Sequence, residues 1–257
     1  MNQIFELTGR GAVVIGGTSG IGRAIALGLA DSGVHTVATG RRTELVQSVS
    51  AEIESRGVRT VTMACDAEKD SSVNAFRDVV VAELGGIDIL INAAGRTIRK
   101  PIMQTSPTEW TALQETNVTS ALRTSQAFFE SLKASGKGRI INIASLASFL
   151  AFHEVAAYSA SKAAILSLTK SLGQEWSQFG IRTNAIVPGV FVTDINRDAL
   201  NGTARGAEML TRTPMGRFGE IEELVGTALF LSSDAVSFIT GTSITVDGGY
   251  LASGVNS

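Results

Sequence analysis

Short runs of β-branched and aliphatic residues alternate with longer stretches of helical periodicity along the whole chain. The first run, GAVVIGG (11–17), is apolar at every position before its closing glycines, as a strand buried on both faces reads. IGRAIALGLADSG (21–33) follows with apolar residues three and four apart and ends on Gly33, a C-cap signal. The same alternation predicts strands at HTVATG (35–40), RTVTMAC (59–65), IDILINAAG (87–95), GRIINIAS (138–145), IRTNAIVPG (181–189) and SITVDGG (243–249). Between them it predicts helices at TELVQSVSAEIESRG (43–57), SSVNAFRDVVVAELG (71–85), about 108–135, about 158–179 and about 220–231. Repeated units of this size predict an α/β fold: one doubly wound parallel sheet of about seven strands, helices on both faces, right-handed crossovers. No linker, repeat or low-complexity segment breaks the pattern, so residues 1–257 read as a single domain.

Composition narrows the function classes. The chain has 257 residues, 44% apolar and 18% charged, enough for a large core and too apolar for a disordered segment. The formal net charge is -2 and no run of like charges occurs, so neither nucleic acid nor a membrane surface is an expected partner. No apolar run spans a bilayer, and MNQIFELTGR has no apolar signal core. The single cysteine, Cys65, cannot form an internal disulfide, and with the rest this predicts a cytoplasmic setting. Two histidines and one cysteine, without ligand-like spacing, predict no metal site.

Two stretches carry candidate chemistry. VVIGGTSGIGRAIA (13–26) puts Gly16, Gly20 and Gly22 between a strand and a helix. Glycines there let the backbone turn sharply and approach a pyrophosphate, whose charge then sits at the helix N-terminus. AAYSASKAA (156–164) places Tyr158 one helical turn ahead of Lys162, so the two share a face. A phenol titrates near ~10 in water, and an ammonium at about 4 Å can lower that by roughly three pH units at an effective dielectric of about 20. Taken alone, the pair reads as a surface tyrosine beside a solvated lysine, and the rest of the chain has to decide.

With these motifs in order, the chain resembles the short-chain dehydrogenase/reductase family over essentially its whole length. The carriers are GGTSGIG (16–22), NAAG (92–95), Asn117, Ser145, Tyr158 with Lys162, Pro188–Gly189 and the closing VDGG. Ile15 and Ala93 depart from the family's usual Thr and second Asn. The resemblance implies a Rossmann-like fold and an NAD(P)-dependent oxidoreductase acting on CH–OH groups. It implies that Tyr158 is the general acid/base, that Lys162 lowers its pKa and holds the nicotinamide ribose, that Ser145 orients the substrate oxygen, and that Asn117 holds a relay water. It assigns cofactor contacts to Gly16, Thr18, Ser19, Gly20, Ile21, Gly22, Asp66, Ala67, Asn92, Ala93, Ala94, Gly95, Pro188, Gly189, Val190 and Thr193. A homotetramer is implied as well.

The cofactor's identity is read at the end of the second strand. Gly40, Arg41 and Arg42 stand where an acid would accept a ribose 2'-hydroxyl, and an arginine fork suits a 2'-phosphate, so NADP is expected, with NAD possible. Within the family the resemblance is to sugar-acid dehydrogenases of the gluconate 5-dehydrogenase and 2-keto-3-deoxygluconate dehydrogenase type. It is carried by AAGRTIRKPI, VPGVFVTDIN (187–196) and TVDGGYLASG (245–254). A small hydroxy or keto substrate is therefore expected, with Arg99 and His153 as candidate contacts and a lid at about 190–217. The basic loop RTIRK (96–100) either binds a substrate carboxylate or is a solvated surface loop. Two alternatives stay open: a 3-oxoacyl-[acyl-carrier-protein] reductase docking through Arg99, Lys100, Arg123 and Arg139, and a nucleotide-binding regulator without turnover.

Overall fold

The computed structural model describes residues 3–193 and 196–254. Among the described residues six strands form one parallel sheet: β1 (Gly11–Ile15), β2 (His35–Thr39), β3 (Ile89–Asn92), β4 (Arg139–Ile143), β5 (Arg182–Pro188) and β6 (Ser243–Val246), in the order β2-β1-β3-β4-β5-β6. The order reverses at β1, so the crevice between the carboxyl ends of β1 and β3 is the topological switch point at which such sheets bind ligands.

The predicted strand at 59–65 lies beside β2 without joining the ladder as a regular strand. Its register bonds are sparse: Thr36 N–H donates to Arg59 O, Thr39 Oγ1 to Met63 O, and Cys65 N–H to Gly40 O. An edge segment with water on its far side has one neighbour to pair with, which is why β propensity alone does not make it a strand.

Helices α1 (Gly20–Asp31), α2 (Thr43–Glu54) and α3 (Asp70–Leu84) connect the first strands. The helix predicted over 108–135 begins as α4 (Pro107–Gln114), under a capping box of Ser106 and Glu109. It widens into a π turn at Glu115–Thr119, then continues as α5 (Ser120–Ala127) and α6 (Phe129–Ala134). The last long helix is α7 (Ala156–Glu175), followed by the shorter α8 (Arg197–Leu200), α9 (Ala204–Thr211) and α10 (Val225–Ser232).

Both sheet faces are covered by apolar side chains. Ile25, Leu29, Leu224, Ala228 and Leu231 pack with Val14 and Ile91 on one side. Phe76, Val80, Phe128 and Leu132 pack with Val13, Leu90 and Ile140 on the other. Phe76 and Phe128 meet edge to face at 6.2 Å. The expected alternation of buried strands and amphipathic helices thus produces the two cores that hold the carboxyl-end loops in place.

Candidate active site

Four loops converge at the carboxyl ends of the strands. Gly16 follows β1, the NAAG segment follows β3, Ser145 follows β4, and Gly189 follows β5. Gly16 adopts φ 78, and a Cβ there would lie 2.6 Å from Ala94 N. A Cβ on Gly22 would collide with the Gly16 carbonyl oxygen. The turn therefore requires glycine at both places. Ser19 enters α1 in extended conformation without a side-chain cap, and the first turn of α1 holds no acid. The first N–H groups of a helix have no intrahelical partner, so this uncapped start fits a phosphate. Gly20 and Ile21 open that turn, and Thr18 is buried against Gly40.

Tyr158 and Lys162 occupy the first two turns of α7. The Lys162 ammonium is buried and donates to Ile143 O at 2.7 Å, and it lies 5.7 Å from the Tyr158 ring centroid. Burial pulls its pKa down to about 8. Burial also pushes the Tyr158 phenol up, and a hydrogen bond with Ser145 offsets part of that. The expected lowering of the phenol by Lys162 is therefore not found in this state. The ammonium is drawn to the Ile143 carbonyl, and desolvation weakens its own charge.

Asn117 sits in the π turn, a distortion frequent at functional sites. Its Oδ1 accepts from Arg96 N–H at 2.9 Å, while Nδ2 donates to Arg96 O and to Ser161 Oγ, each at 2.9 Å. Ser161 donates in turn to Tyr158 O, and Ser148 Oγ to Lys162 O. Both amide protons of Asn117 are thus committed to bracing, and a water could be held only at its oxygen. A Cβ on Gly95 would lie 3.6 Å from Lys162 Nζ, so the NAAG segment lines the same space.

Other expected contacts are placed differently. The Asn92 side chain is buried in a brace: Nδ2 donates to Asn142 Oδ1 and Ser125 Oγ, and Oδ1 accepts from Thr124. Ala93 and Ala94 carry no polar side chain and present backbone beside Gly16. Asp66 accepts from Glu68 N–H, and Arg123 donates to Ala67 O. Pro188 ends β5, and Gly189 lies so close to Asp247 that a Cβ would approach its Cα to 2.5 Å. Val190 packs on a small apolar cluster that includes Leu146 and Val187. Thr193 has its methyl 3.8 Å from where a Gly20 Cβ would stand. Of VPGVFVTDIN, Asp194 and Ile195 lie outside the described residues, as do Val255 and Asn256 of the closing YLASGVN.

Arg41 faces Glu68 at 3.8 Å, and Arg42 reaches Ser19 Oγ at 3.4 Å. Arg99 pairs with Glu154 at 3.1 Å, and Lys100 with Glu109 at 2.7 Å. His153 is 81% exposed and lies 3.7 Å from Glu154. Sequence reasoning missed Ser148, Ser161, the Ile143 carbonyl and Glu68. Ser161 had a signal, three residues after Tyr158 on one helix face. The others are adjacent only through the fold.

A dinucleotide cradle at a switch point, beside a half-buried tyrosine and serine and a buried lysine, defines an oxidoreductase of the Rossmann-like class. A family model described as "Enoyl-(Acyl carrier protein) reductase" matches residues 15–251. The gluconate 5-dehydrogenase of Gluconobacter oxydans is 37% identical over 251 residues, covering 98% of each chain. The 2-dehydro-3-deoxy-D-gluconate 5-dehydrogenase of Escherichia coli is 38% identical, covering 96% of this chain and 98% of its own. A solved gluconate 5-dehydrogenase from Burkholderia cenocepacia, in complex with NADP and tartrate, superposes with TM-score 0.94 at 36% identity, covering 98% and 99%. The protein belongs to the short-chain dehydrogenase/reductase family.

Proposed function

We propose that this protein is an NADP(H)-dependent oxidoreductase that interconverts a secondary alcohol and a ketone on a sugar acid or polyol. The observation that carries the reading is the juxtaposition of Tyr158 with Ser145, to which it is hydrogen-bonded, and with the Lys162 ammonium, which together with Asn117 lies beside Gly95 of the NAAG segment. Similarity to the sugar-acid dehydrogenases supports the substrate class. NADP supplies the hydride acceptor or donor when bound. The chain's own residues do the rest. Ser145 and the Tyr158 hydroxyl hold the substrate oxygen, where negative charge develops during reduction. Tyr158 gives its proton to that oxygen, or takes it in oxidation. Lys162 keeps a positive charge near the Tyr158 ring, and after reduction it passes a proton to the tyrosinate and is itself reprotonated from solvent.

A homotetramer, a cytoplasmic setting and a lid formed by residues 190–217 belong to the same reading. α8 and α9 border an open hollow of about 530 Å³ lined by Leu200, Leu210 and Phe218. The carrier-protein alternative loses support, because Arg139 is buried against Ser233 O and Asp234, and Arg123 is engaged by Asp70 and Glu115. Those cations are not available for docking.

The test is steady-state NADPH oxidation with 2- and 5-keto sugar acids, neutral ketoses and an acetoacetyl thioester. Turnover confined to the thioester would reject the reading. Arg41→Ala should weaken NADP+ by about 1.5–3 kcal/mol, the worth of a charged hydrogen bond, and leave NAD+ nearly unchanged. Calorimetric titration with both cofactors checks this.

Arg99→Ala tests the substrate carboxylate. Because Arg99 is 46% exposed and paired with Glu154, an incoming acid must displace that partner. The loss in kcat/KM should be roughly tenfold and confined to acids, with neutral ketoses unaffected. An equal loss on both classes would make Arg99 a structural residue.

A further inference from the structure

The end of β2 offers Gly40, Arg41 and Arg42 and no acid, yet folding brings one there. The Cys65 N–H donates to Gly40 O at 3.0 Å, which holds the loop after Cys65 against the end of β2. Three residues on, a Glu68 oxygen lies 3.8 Å from Arg41 Nη1. That oxygen, Oε1, also lies 2.6 Å from the Thr116 hydroxyl, whose one proton is shared between it, the nearer acceptor, and Ala112 O at 3.0 Å. The carboxylate is therefore tethered to the π turn. Arg41 is 62% exposed and touches Glu68 at ion-pair distance without a hydrogen bond, so it is the movable partner. The neighbouring Asp66 does not play this part, because it caps Glu68 N–H and faces Lys69.

We propose that Glu68 sets the cofactor preference of this protein. It is a tethered carboxylate that competes with the 2'-phosphate of NADP(H) for Arg41 and accepts the ribose 2'-hydroxyl of NAD(H), so the chain uses both cofactors. This rests on the reading that the adenosine 2' position lies at Arg41. A phosphate dianion must draw Arg41 away from Glu68 and then share the site with a fixed like charge. A 2'-hydroxyl meets neither cost and gains an acceptor.

The experiment is calorimetric titration of 2',5'-ADP, 5'-AMP, NADP+ and NAD+ into the wild-type protein, Glu68→Gln and Arg41→Ala. Glutamine keeps an acceptor for Thr116 and removes only the charge. Glu68→Gln should tighten 2',5'-ADP and NADP+ by roughly three- to tenfold and leave 5'-AMP and NAD+ unchanged or weaker, the size of a partly exposed charge interaction. An equal shift for both ligand pairs, or weaker 2',5'-ADP binding, overturns the inference. Arg41→Ala separates the two levels. If it weakens only the 2'-phosphate ligands while Glu68→Gln changes nothing, Glu68 has no such role and the placement of the phosphate stands. If it weakens all four ligands alike, the phosphate is not at Arg41 and both fall.

Discussion

Tyr158→Phe should lose roughly 10²–10⁴ of turnover while cofactor affinity stays within about twofold of wild type, because only the transferable proton is removed. The ring keeps its place in the first turn of α7, and the hydroxyl's recorded partner is Ser145. The loss should fall on kcat, since the bond to the reacting oxygen strengthens only as charge develops there. Burial holds the phenol above its ordinary value in this state, so the proton stays on near neutral pH but is released less readily than in water. Removing one for the reverse reaction needs positive charge nearby, which Lys162 and the oxidised cofactor would provide. Turnover by Tyr158→Phe within tenfold of wild type on the best substrate would remove tyrosine from the proton-transfer step.

Lys162→Met should abolish most turnover and yet raise the melting temperature at pH 7. The unfolded chain holds the lysine proton up to about 10.5, and the folded protein only to about 8. Between those values the unfolded state binds more protons, so wild-type stability climbs with pH across that window. Below pH 8 the whole penalty stands, about 3 kcal/mol for a difference of this size. Methionine removes that cost and leaves Ile143 O without its donor, which returns about 1–2 kcal/mol. The net gain of about 1–2 kcal/mol corresponds to roughly 2–8 °C for a chain of this length. Thermal melts at pH 7 and pH 10 check both size and sign, because the advantage of the variant should shrink at the higher pH. A variant that melts well below wild type at pH 7 would make the lysine a structural donor.

Much of this molecule was legible from local pattern. Strands such as GAVVI and RIINI are buried on both faces, and their apolar runs fix both strand and sheet type without reference to a partner. Gly16 and Gly22 announce themselves because only glycine fits where backbone meets backbone. Tyr158 and Lys162 share a helix face at four residues' spacing, so their neighbourhood follows from helix geometry. What tertiary structure decided is where each charge goes. The segment at 59–65 has strand-forming residues but lies on an open edge, where pairing depends on a neighbour the sequence does not name. The ammonium of Lys162, on helix α7, goes to Ile143 O at the end of strand β4, and desolvation then sets its proton affinity. Arg99 and Lys100 find Glu154 and Glu109, and Arg41 finds Glu68, 27 positions away along the chain. Periodicity reports which face of an element is dry, because that depends on near neighbours. Charge pairing, desolvation and the resulting pKa values depend on groups distant in sequence, and only the folded chain brings them together.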